Sequence, residues 1–211
     1  AEVIATVTNQ RDFGFWQWSF LRKAATRKSI KKEGRRVGGG ADNQFVNLLR
    51  TVYDLAYCLP GRETENLARL RGAVLEALVA RILRSRYDEV ATNCCVEING
   101  AVVKLPEEAY PRSVDVAGVK RSGEELRGEI YECKAGSAYV ERKDLLFLAE
   151  LRRRLDAAGL RGFLVALVSF EGRAVLEGAL RRLRVKWRGV LAREDLEALY
   201  DYQAVKNILG S

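Results

Sequence analysis

The chain has 211 residues, enough for one domain with a small extension, and 48% of them are apolar, ample for a packed interior. Lysine and arginine outnumber aspartate and glutamate 36 to 28, and the formal net charge of +8 suits a polyanionic partner. Histidine is absent, which excludes Ser-His-Asp and Cys-His catalysis, His-containing zinc sites and imidazole acid–base chemistry, and leaves any catalysis to carboxylate, Lys, Tyr or Cys.

Residues 1–62 differ from the rest and read as an N-terminal extension. An apolar opening is followed by Phe13, Phe15, Trp16, Trp18 and Phe20, and then by Arg22, Lys23, Arg27, Lys28, Lys31, Lys32, Arg35 and Arg36 around a single acid, Glu33. Many of these bases recur three or four positions apart, so a helix gathers them on shared faces, where like charges repel unless an anion neutralises them. The segment is a candidate nucleic-acid arm. Its aromatic residues can stack on bases, although anchoring a basic helix to the core is the more ordinary use and is preferred here. No signal-peptide pattern opens the chain and no run reaches the apolar length of a membrane span, so a cytoplasmic protein without a membrane partner is expected.

A helix is predicted over 43–59, ended by Pro60-Gly61, and a second over 64–86 with the stripe Leu67, Leu70, Val74, Leu75, Leu78 and Ile82. Glu76 lies beside that stripe, one turn from Gly72 and from Ala80, small residues that let a helix approach a sheet closely. Taken alone, Glu76 is an exposed helix acid paired with Arg81 or Arg84. A strand over 89–98 follows, then two strands, 113–119 and 129–135, joined by a polar stretch with one glycine. Next come a helix over 142–158 stopped by Gly159, a continuous apolar strand over 163–170 buried on both faces, a helix near 175–183 and a final amphipathic helix over 193–209. The order is that of an α/β domain over 63–211. Cys58, Cys94, Cys95 and Cys133 show no C-x-x-C spacing and are read as small core residues. Usage rich in Arg, Glu, Leu and Val resembles that of hyperthermophile proteins.

The most informative feature is Asp115 followed seventeen residues later by Glu132-Cys133-Lys134. With the turn centred on Gly123 and Glu124, residues paired across the hairpin have numbers that sum to 247, and Asp115 stands opposite Glu132. Like charges at that position destabilise a sheet, and a divalent cation accepting both carboxylates supplies the reason for them. Strand alternation turns Lys134 to the same face and Cys133 to the other.

Asp115, the Glu132-x-Lys134 triplet and a preceding helix with Gly72 four residues before Glu76 together resemble the PD-(D/E)xK nuclease superfamily. The resemblance covers roughly residues 66–183 and is nearest to nuclease domains of ring-nucleotide-activated CRISPR ancillary effectors, with archaeal Holliday-junction resolvases as a second relative type. Val114 replaces the usual proline, and no Gln-x-x-x-Tyr follows the triplet, which argues against the RecB-like branch. The resemblance implies a restriction-endonuclease-like core, an αβββαβ mixed sheet flanked by helices. It implies Mg²⁺ or Mn²⁺ held by Asp115, Glu132, the Cys133 carbonyl and, through water or as an outer ligand, Glu76. It also implies that Lys134 orients water or offsets charge in the transition state, and electrostatic stabilisation is preferred to general-base action because nearby carboxylates oppose a lowered pKa.

A metal-dependent DNA endonuclease of defence or repair, acting as a homodimer, is therefore expected. The alternative is a catalytically silent nucleic-acid-binding protein on the same scaffold, and a third reading is an interaction module whose basic arm docks on an acidic protein.

Overall fold

The computed structural model describes Cys58 and residues 60–196. The basic and aromatic arm, the predicted helix 43–59 apart from Cys58, and the predicted final helix beyond Leu196 lie outside the described residues. The chain divides into two compact units, Ala1–Leu78 and Val79–Ser211.

The described part of the first unit is most of helix α1, Glu63–Arg84, in which Leu67, Val74, Leu75 and Leu78 of the predicted stripe are buried. The helix stops two residues before its predicted end. Ser85 Oγ donates to the Ile82 carbonyl at 2.7 Å and satisfies one of the acceptors that the last turn leaves open.

The second unit is α/β and holds a mixed five-stranded sheet. Its strands are β1 (Glu89–Cys95), β4 (Ser113–Ser122), β5 (Glu125–Lys134), β6 (Phe163–Ser169) and β7 (Val190–Leu191), in that spatial order. β4 runs antiparallel to both β1 and β5, whereas β6 lies parallel to both β5 and β7. Helix α2 (Arg142–Ala157) makes the crossover from β5 to β6, and α3 (Arg173–Arg182) follows β6. Leu145, Phe147, Leu148, Leu151 and Leu155 of α2 and Leu176 and Leu180 of α3 form one core cluster with Ile130, Val165 and Leu167 of the sheet. β6 is buried at every position except Leu164, as a central strand reached by a helical crossover should be.

The predicted single strand over 89–98 is in fact two elements. The chain leaves β1 at Cys95, and β2 (Glu97–Ile98) pairs with β3 (Ala101–Val102) as a separate antiparallel ribbon. Asn99 and Gly100 make its turn, both in the left-handed region at φ 53° and 78°, the two-residue geometry that Asn-Gly favours in hairpins. The cysteines also need correction as a group. Cys133 is buried and Cys94 half-buried, but Cys58 and Cys95 are exposed, and none of the four is in a disulfide. Adjacent residues on a strand face opposite ways, so Cys94 and Cys95 on the edge strand β1 do not share an environment.

Candidate functional site

The β4–β5 hairpin turns through Gly123 and Glu124, and its pairs run from Ser122↔Glu125 to Val116↔Tyr131, the register expected from the sequence. Pairing between these strands then stops. Beyond it β4 stays with β1 through Cys94↔Val114 and Cys95↔Ser113, while β5 stays with β6 through Glu132↔Leu167, Cys133↔Val168 and Lys134↔Ser169. Asp115 and Glu132, the next pair in register, therefore stand at the mouth of a fork. The β1 residue in register with Asp115 is Asn93, whose left-handed φ of 48° interrupts the ladder on that side too.

The fork has a physical cause in its own side chains. Two carboxylates directly opposite repel each other across a ladder, and Asp115 Oδ2 takes over as acceptor for the Cys133 backbone N–H at 2.6 Å. Glu132 is 4% exposed. Its Oε1 accepts an ion-pair contact from Lys134 Nζ at 2.9 Å, and its Oε2 is buried with no hydrogen-bond partner among the described residues.

Two elements outside the hairpin complete the cluster. Asp144, at the third position of α2 and 1% exposed, reaches Lys134 Nζ with Oδ2 at 3.5 Å and accepts from Arg112 Nη2 with Oδ1 at 2.6 Å. The same Arg112 nitrogen lies 3.9 Å from Glu132 Oε1, its other terminal nitrogen lies 4.0 Å from Glu108, and its guanidinium sits over the Phe147 ring. Asp144 is positioned by a reciprocal cap: the Glu141 N–H donates to its Oδ2 at 2.9 Å while the Glu141 side chain accepts from the Asp144 N–H. Arg112, Glu108 and Asp144 were not among the sequence candidates. A Glu-x-x-Asp pair opening a helix marks Asp144 as a cap, and nothing in the sequence adds that it also faces Lys134.

Four carboxylates thus surround two cations. Burial, with the Asp115 charge beside it, holds the Glu132 carboxyl above the ordinary glutamate range despite the Lys134 ammonium. Burial lowers the Lys134 pKa, but Glu132, Asp144 and Asp115 together more than offset it, and the ammonium is held above its ordinary value. A proton-carrying Lys134 fits charge stabilisation and does not suit a general base.

A divalent cation would find hard oxygen donors here: the Asp115 carboxylate and the unpartnered Glu132 Oε2. Among the described residues no group of three or more His, Cys, Asp or Glu is arranged to hold a metal ion, so water or substrate oxygens would have to complete the shell. Glu76 belongs to the first unit, where it is half-buried on α1 and its Oε1 lies 3.8 Å from the point a side chain on Gly72 would occupy.

No known family, curated protein or solved structure matches the chain. No helix among the described residues is long and apolar enough to cross a membrane.

Proposed function

We propose that the protein is a divalent-metal-dependent nuclease that hydrolyses phosphodiester bonds, with DNA as its substrate, built on a PD-(D/E)xK-type core. The observation that carries this is the fork: it sets Asp115 beside Glu132 and Lys134 and leaves one buried carboxylate oxygen without a partner. Asp115, Glu132 and the Cys133 carbonyl are the groups that would hold Mg²⁺ or Mn²⁺, which when bound polarises a phosphate and activates water. Lys134 stays protonated beside Glu132 and Asp144, and places positive charge where a phosphoryl group gains negative charge. Arg112 and Asp144 act through these residues, by fixing the Lys134 ammonium against Glu132. The net charge of +8 supports a polyanionic substrate.

Plasmid and single-stranded DNA incubated with Mg²⁺ or Mn²⁺ are expected to be cut by the wild-type protein and left intact by Glu132→Gln and Lys134→Ala. Equal cutting by all three proteins would mean a contaminant and end the enzymatic assignment. Retention of DNA by the wild type without cutting would favour the catalytically silent binder.

A further inference from the structure

A second site lies away from the fork, along α3. Arg173, Glu177, Leu180 and Arg181 form one wall of a pocket of about 510 Å³, and Val185, Lys186, Trp187, Arg188 and Val190 form the other. That volume is in the range that holds a base with its sugar. Arg173 is committed to Asp195 at 2.6 Å and to Glu177 at 4.0 Å. By contrast, Arg181, Lys186 and Arg188 are exposed, and their side chains make no hydrogen bond or ion pair among the described residues.

Trp187 is held as a platform between these cations. Its indole N–H donates to the Gly189 carbonyl at 2.6 Å, and its ring packs against the core cluster. A side chain on Gly189 would fall 2.3 Å from the Val165 carbonyl and 2.8 Å from the indole, so only glycine lets the ring lie there. The exit from α3 points the same way. Arg184 adopts φ 55° at a position where glycine or asparagine is the usual residue, so its side chain is present at a conformational cost and adds charge to the same segment.

We infer that this groove binds a single nucleic-acid strand, with phosphates on Arg181, Lys186 and Arg188 and a base against Trp187. Exposed cations beside a fixed aromatic face match the way single strands are held, whereas an acidic peptide would use the cations and leave the indole idle. The proposed nuclease function adds to this choice of polyanion, and the groove's own cations and indole carry it.

The test is fluorescence anisotropy of a fluorescein-labelled thymidine oligonucleotide across a salt series in EDTA, where no cleavage occurs. Replacing Arg181, Lys186 and Arg188 together by Gln should weaken binding at least about tenfold and flatten the log–log salt slope by about 2, from roughly 0.7 per phosphate contact. Trp187→Leu should weaken it about tenfold with the slope kept, and the charge-keeping set Arg181→Lys, Lys186→Arg and Arg188→Lys should bind like wild type. Thermal melts check that each variant folds. Wild-type affinity and slope in the triple Gln variant would overturn the inference, as would competition by polyglutamate equal to that by oligonucleotide. Glu132→Gln separates the two proposals, because it should lose cleavage and keep this binding. Groove-dependent binding by a wild type that never cuts would sink the nuclease assignment and leave the groove standing.

Discussion

Asp144 links the helical layer to the candidate site, since one carboxylate meets Arg112, Lys134 and the Glu141 N–H. Each partner restrains the others: Lys134 lies between Glu132 and Asp144, and Arg112 spans the same two acids. Removing the central acid leaves two half-buried cations short of a counter-charge. Breaking a buried ion pair from one side costs about 3–5 kcal/mol, so Asp144→Ala should lower the urea unfolding free energy by about 3 kcal/mol. A loss under about 1 kcal/mol would show that solvent replaces the carboxylate and that it does not hold the cluster. Glu132 and Lys134 were legible as candidates because strand alternation alone puts them on one face. Their partners were not, because Arg112 and Asp144 stand before a strand and inside a helix, where no periodicity relates them to Lys134.

At the scale of elements, the hairpin could be read from its turn: a two-residue loop at Gly123 and Glu124 dictates every later pair, and the observed pairs follow it. Where pairing ends could not be read, because the repelling carboxylates part the strands only where β1 and β6 keep β4 and β5 paired on their outer sides. The closeness of approach inside the sheet was equally hidden. A side chain on Gly128 would lie 2.4 Å from the Phe163 ring and 2.7 Å from the Gly118 carbonyl, so β4, β5 and β6 meet there with no room for a methyl group. Gly128→Ala should therefore destabilise the protein by about 1–3 kcal/mol through overpacking, seen as a lower urea midpoint with an unchanged m-value. An unaltered midpoint would mean that the strands separate freely at this point. The Asn99-Gly100 turn is the reverse case: its signal was present in the sequence, and the strand-like run 89–98 before it masked it.

For the whole molecule, the proposed metal site makes a prediction about stability that needs no turnover. A cation that binds only the folded state at about a hundred times its Kd stabilises it by about 2.7 kcal/mol, or about 5–10 °C in Tm for a chain of this size. Mn²⁺ should raise the Tm of the wild type by that order, EDTA should reverse the rise, and Glu132→Gln should abolish it. An equal rise in the variant would place the ion elsewhere. By itself the sequence determined the α/β order of elements, the hairpin register and the facing of Asp115, Glu132 and Lys134, because turn chemistry and side-chain alternation act over a few residues. Only the tertiary structure decided that the ladder forks at Asp115, that Glu132 keeps a buried oxygen without a partner among the described residues, that Asp144 and Arg112 join the cluster, and that Trp187 is fixed beside exposed cations. Those features arise where segments distant along the chain compete for the same space and charge, and no local pattern records that competition.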